Sequence, residues 1–200
     1  MQEEFPARLQ HTLTGIQAVS SPPLERPVRV FCEDERRFGL LPVQRRGVTL
    51  SGIKPGGTVQ YCLENFYVYG AVEPTTGASF FLELPQLNTA NFQIFVNEFA
   101  HRYQDTLNLV LMDKGSCHTA KSLVLPDNVL CLFMPPYSPE LNPIERLGRD
   151  MKDQLAWLLA GQIDELIHHV ERISRQYAKN AIQSLTAYAY FVQAVHALSS

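Results

Sequence analysis

The chain has no excess of positive charge. Its 17 lysines and arginines are outnumbered by 20 acids, for a net charge of −3. No overall field therefore draws it to nucleic acid, and any DNA contact has to come from local basic patches, a metal or another domain. Cysteine is scarce as well. The four present, Cys32, Cys62, Cys117 and Cys131, form no CxxC pair and no zinc-finger spacing with histidine, which excludes a disulfide scaffold and suits a reduced, cytosolic protein. There is no basic-then-apolar leader in MQEEFPARLQ and no apolar run near the roughly 18 residues of a membrane span. Neither internal repeats nor low-complexity segments occur. A soluble intracellular protein is the expectation.

What is present suits one domain. Two hundred residues, 46% hydrophobic and 18% charged, suffice for a full core and are too apolar for a disordered chain. Residues 3–18 predict a helix, closed by the stiff Ser20-Ser21-Pro22-Pro23 linker. Residues 28–32 alternate as a strand running into Glu33-Asp34-Glu35, and residues 36–58 read as basic strand fragments or loop. FYVYGAV (66–72) and ASFFLEL (78–84), joined by Pro74-Thr75-Thr76-Gly77, predict a hairpin. Phe92, Phe95, Val96 and Phe99 have helical spacing, and residues 107–112 and 129–133 read as buried strands. Three helical faces follow: Ile144 to Leu158, Ile163 to Tyr177, and Ile182 to Val192. Strands with a hairpin, a crossover helix, two more strands and a helical run give an α/β domain with a mixed central sheet.

Two of these strands lead into an aspartate, Asp34 and Asp113. On adjacent strands ending at one sheet edge, the two carboxylates would repel unless they shared a proton or a cation, and Mg²⁺ takes such oxygen ligands. The alternative is that each aspartate only begins a turn. A third acid lies in PPYSPELNPIERL (135–147), where four prolines stiffen the passage from strand to helix. Asn142-Pro143-Ile144-Glu145 reads as an N-cap, a first-turn proline and an acid at N3, so Glu145 either closes a capping box or is held over the strand ends.

Together, CEDERRFGL (32–40), LMDKGSCH (111–118) and PPYSPELNPIERL closely resemble the catalytic domain of bacterial insertion-sequence transposases of the mariner-like superfamily. These are DDE enzymes with a ribonuclease H-like, integrase-like fold. Residues 65–99 share the resemblance, which covers roughly residues 28–160. It implies a helix and linker over 1–26, a catalytic domain over 27–160 and C-terminal helices over 161–200 packed on the same domain. It also implies that Asp34, Asp113 and Glu145 are catalytic acids holding two Mg²⁺ or Mn²⁺ ions for DNA cleavage and strand transfer, with His118 and Asn142 in support. Arg36, Arg37, Arg45, Arg46, Lys54, Arg146, Arg149 and Lys152 are expected to contact DNA phosphates, whereas Glu33 and Glu35 face the other side of the strand. The implied partners are transposon-end and target DNA, a separately encoded helix-turn-helix part and a second copy of the chain, and the implied location is the bacterial cytoplasm at the nucleoid. The chain departs from the pattern at Lys114, where asparagine or a small residue is common, and at Gly148, where the family has tryptophan. These departures motivate the alternative of an inactive remnant or split-frame fragment serving as a DNA-binding or assembly module.

Overall fold

A computed structural model of the chain describes residues 4–19, 26–41, 51, 61–156 and 158–197. Helix α1 (Phe5–Val19) precedes strand β1 (Val28–Gly39). β2 (Asn65–Glu73) and β3 (Ala78–Leu84) form the hairpin, with Gly77 at φ 72° in its turn. α2 (Thr89–Arg102) crosses over to β4 (Leu107–Met112), and β5 (Val129–Phe133) follows. A single 3₁₀ turn, Pro139–Leu141, leads into α3 (Ile144–Gln154). α4 (Ile163–Gln176), α5 (Lys179–Thr186) and α6 (Ala189–His196) complete the chain. The third predicted helical face is thus two short helices, parted at Ala187, which caps α5, and Tyr188, whose extended backbone opens α6.

The sheet has the order β3-β2-β1-β4-β5. β1 pairs antiparallel with β2 and β2 with β3, whereas β1–β4 and β4–β5 are parallel, the mixed sheet that the sequence implies. Alternation along β1 decides the two faces. Phe31 points toward the aromatic layer of α2, where Phe92, Phe95 and Phe99 are buried. Val30 and Cys32 point the other way, into a core built with Leu109, Leu111, Ile144, Leu147, Ile182 and Phe191. Phe5, Leu9 and Leu13 of α1 are buried in that same cluster, so the first helix packs with the last ones. α4 closes a third cluster over Phe38, Phe66 and Met151.

One expectation is corrected. β1 does not end at its acids: it continues to Gly39, and Asp34 lies opposite Gly70 in the ladder with β2. The pairing with β4, however, stops at Cys32 opposite Leu111. Two residues further along both strands, Asp34 is level with Asp113. The aspartates therefore meet because β4 ends there, while β1 runs on beside β2.

Candidate active site

Asp34, Asp113 and Glu145 line one cleft of about 570 Å³, together with Lys114, Gly115, Asn142 and the 134–139 passage. Three different elements deliver them. Asp34 has the parity of Val30 and Cys32, so it stands on the face covered by α3. Asp113 follows β4, and its Oδ1 accepts from Gly115 N–H at 2.7 Å, which fixes the carboxylate at the strand end. Glu145 sits in the first turn of α3. That turn comes close to the sheet because residue 70, beside Asp34, is glycine. A Cβ there would stand 3.1 Å from the Phe81 ring and 3.3 Å from Ile144 Cδ1.

The proline-rich passage carries the aiming. Met134 N–H bonds to Met112 O at 2.9 Å, and the Tyr190 hydroxyl donates to Leu141 O. Asn142 is buried, and its Nδ2 donates to Glu33 O at 2.7 Å, tying the start of α3 to β1 beside Asp34. Of the two readings open for Glu145, the capping box is the one the geometry sets aside, and the N-cap moves from the expected Asn142. The N-cap position is Pro143, with no side-chain cap, and Glu145 pairs with Arg36 instead of its own helix start. Tyr137 has φ 56° and is 98% exposed, a left-handed backbone with its ring standing free at the rim of the cleft.

Arg36 is the unexpected member. Its guanidinium reaches Asp34 Oδ2 at 3.0 Å and pairs with Glu145 Oε2, so one fixed cation bridges two of the three acids. Burial pushes Asp34 up to about 7. Arg36 opposes that rise, while Glu145, Glu35 and Asp113 add to it. A site that makes a carboxylate this reluctant to ionise is short of positive charge. The donor set, three carboxylates and no softer atom, is what a hard divalent ion takes, and Asp34 and Glu145 already converge on a cation. The residues present therefore fit such an ion, with Arg36 as the side chain that has to yield.

His118 lies buried on the opposite face. Its Nδ1 is 3.1 Å from Asp113 O and 3.0 Å from Asp113 Oδ1, and its Nε2 is 2.7 Å from Glu35 Oε1. It supports Asp113 from behind instead of facing the cleft. Of the expected phosphate contacts, Arg37, Arg146 and Arg149 are exposed. Arg146 lies over the Tyr188 ring at 4.4 Å and Lys152 is 5.8 Å from the Phe38 ring. Arg36 is committed to the acids, and Arg45, Arg46 and Lys54 lie outside the described residues. Sequence reading did not anticipate the bridging role of Arg36. Its only signal was the glycine at 148, where an added Cβ would stand 2.6 Å from Arg36 Nε. Among the described residues no helix is long and apolar enough to cross a membrane.

A mixed five-stranded sheet with helices on both faces and three acids gathered over its central strands is the ribonuclease H-like architecture. The sequence matches the DDE superfamily endonuclease family over residues 29–167, and the chain belongs to that family. An uncharacterized protein of Sinorhizobium fredii, y4pE/y4sA, is 35% identical over 107 residues, covering 52% of this chain and 78% of that protein. Among solved structures, the Mos1 transposase paired-end complex with the left transposon end aligns with TM-score 0.64 at 16% identity, over 96% of this chain and 60% of that one. The Mos1 mariner paired-end complex with Mn aligns with TM-score 0.65 at 15% identity, again over 96% and 60%. The chain thus spans about 60% of the length of the Mos1 chains that it resembles.

Proposed function

We propose that this chain is the catalytic domain of an insertion-sequence transposase, cutting DNA at transposon ends and joining the ends to a target. The observation that carries the reading is the convergence of Asp34, Asp113 and Glu145, from β1, the end of β4 and the first turn of α3, on one open cleft. Membership of the DDE endonucleases and likeness to Mos1 complexes with transposon-end DNA and with Mn support it.

Asp34, Asp113 and Glu145 would hold two Mg²⁺ or Mn²⁺ ions, which would supply Lewis-acid charge for an in-line displacement at phosphorus and would lower the pKa of the attacking water or 3′-hydroxyl. The chain's own residues do the rest. Gly115 N–H and His118 hold Asp113 in place, and Asn142 holds the start of α3 on β1 so that Glu145 faces the acids. Arg36 keeps Asp34 and Glu145 together, and its guanidinium would be free for a DNA phosphate if the two acids held an ion instead. Exposed Arg37, Arg146 and Arg149 give charge for backbone contacts that position a duplex without reading its sequence, and Tyr137 offers a ring for an unpaired base.

Sequence-specific recognition of the ends is assigned to a helix-turn-helix part outside these 200 residues, and the working unit to a pair of catalytic chains on DNA in the bacterial cytoplasm. Incubation of the purified chain with Mn²⁺ or Mg²⁺ and DNA carrying the element's inverted repeats tests the proposal. Metal-dependent nicking that Asp113→Asn abolishes is expected. A folded protein that binds neither ion nor cuts under either would overturn it in favour of a non-catalytic module.

A further inference from the structure

Behind the acid cleft, on the α2 face of the sheet, a second set of ligating side chains comes together, and the chemistry above uses only one of them, His118, through its contact with Asp113. Glu35 and Glu33 point down from β1, and Cys117 and His118 come from the turn after Asp113. The donor atoms of Glu35, Cys117 and His118 all lie within 4.8 Å of one another. His118 Nε2 is 2.7 Å from Glu35 Oε1, and Cys117 Sγ is 3.8 Å from the same oxygen. Glu33 supplies the independent observation. Its side chain is fully buried, neither carboxylate oxygen has a hydrogen-bond partner among the described residues, and Oε2 stands 3.7 Å from His118 Nε2. A buried carboxyl left without a hydrogen bond is costly, and this one has only its longer contact with His118, which directs it into the cluster.

We infer that Glu33, Glu35, Cys117 and His118 form a structural site for a zinc-class transition-metal ion, distinct from the hard-cation site of the three acids. Thiolate, imidazole and carboxylate are each donors that Zn²⁺ takes, at about 2.0–2.3 Å, in four-coordinate tetrahedral geometry. A tetrahedron of that size separates its donors by about 3.3–3.8 Å, so the 3.7 and 3.8 Å pairs already stand at ligand spacing. The Nε2–Oε1 pair, now a hydrogen bond, has to open by roughly half an ångström, and Glu33, which lies outside the 4.8 Å group of the other three, closes in as the fourth ligand. The outer shell is in place as well. A ligating histidine characteristically gives its other ring N–H to a carbonyl or carboxylate, and His118 Nδ1 has both Asp113 O and Asp113 Oδ1 within reach. Phe92 covers the imidazole at 4.5 Å between ring centroids, sealing the site from the α2 side. A metal here would lock the 113–118 turn and hence the carboxylate of Asp113 on the other face.

The test is a titration of the chelator-stripped 200-residue chain with Co²⁺ alone, followed by visible and near-ultraviolet absorption. Its readout is separate from DNA cleavage, because ions bound to the three acids have oxygen ligands only and give no sulfur charge-transfer band. One equivalent of Co²⁺ is expected to give a thiolate-to-cobalt band and strong tetrahedral ligand-field bands, displaced by Zn²⁺ and not by Mg²⁺. Cys117→Ser is expected to abolish the charge-transfer band. Glu33→Gln is expected to keep that band at saturating Co²⁺ while weakening affinity at least tenfold, a result that a misfolded variant could not give. Absence of the band in the wild-type chain, or its survival in Cys117→Ser, would overturn the inference and leave the cluster as a buried ion pair of His118 with its acids.

Discussion

Gly148 of α3 lies directly against the Arg36 guanidinium: a Cβ at that position would stand 2.6 Å from Nε and 2.9 Å from Nη2. The missing side chain is what lets Arg36 lie along the helix and reach both Asp34 and Glu145. The glycine that costs helix stability, about 1 kcal/mol against alanine, thereby seats a built-in cation between two acids. Gly148→Ala should expel Arg36 and leave Asp34 and Glu145 to an external ion. The rise in melting temperature on adding Mn²⁺ should then be larger in Gly148→Ala than in the wild type. It should be similar in Arg36→Met, and no larger when the two changes are combined, because both remove the same competitor. Equal rises in wild type and both variants would show that Arg36 does not compete for the site.

The raised carboxyl of Asp34 gives a pH dependence whose sign follows from linkage. In the folded chain it holds its proton up to about 7, well above the ordinary 3.8, so the native state binds the proton more tightly than the unfolded state. Its contribution is fully present below pH ~4 and is lost as the pH rises to about 7, where ionisation costs on the order of a few kcal/mol. Asp34→Asn cannot ionise. Without divalent metal, the stability of the wild type relative to Asp34→Asn should therefore fall between pH 4 and 7. Denaturant unfolding of both proteins at a series of pH values measures the difference, and a flat difference would mean that Asp34 ionises normally.

Tyr137 combines a left-handed backbone with an exposed ring. Tyr137→Gly should raise stability by about 1 kcal/mol, since glycine accepts φ 56° freely and no packing is lost. It should weaken binding of single-stranded or end-frayed DNA by about 1–3 kcal/mol, the worth of one stacked base. Melting curves and fluorescence anisotropy separate the two effects. Unchanged affinity would remove the ring from the DNA surface.

At the far end of the sheet, Gly77 has φ 72°, and a Cβ there would stand 2.0 Å from Lys179 O at the start of α5. Gly77→Ala therefore combines backbone strain with a collision against backbone that cannot swing aside. It should destabilise the fold by about 3 kcal/mol or more, read as a lower unfolding midpoint in urea. A loss under 1 kcal/mol would mean that the hairpin turn and α5 move apart at little cost.

Periodicity and turn chemistry alone specified most of this architecture. The 2-residue alternation at the start of β1, the Pro-Thr-Thr-Gly turn and the helical spacing of Phe92, Phe95 and Phe99 are local properties, and local physics places them. The three acids were legible as candidates, because each stands in or beside a recognisable strand or a proline-stiffened helix start, and the family resemblance singled them out as a set. What the sequence could not supply is which side chains meet across long stretches of chain. Arg36 and Glu145 are 109 positions apart, and Glu35 and His118 are 83 apart. Strand register and the seating of α3 on Gly70 bring them together. Asn142 and Glu145, read locally, form a capping box. In the fold, a buried backbone carbonyl at Glu33 and a cation at Arg36 are the stronger partners. The chain's own order thus determined the elements and the identities of the acids. Tertiary packing decided their partners, because a hydrogen bond or ion pair in a buried setting outweighs the weaker local preference that sequence reveals.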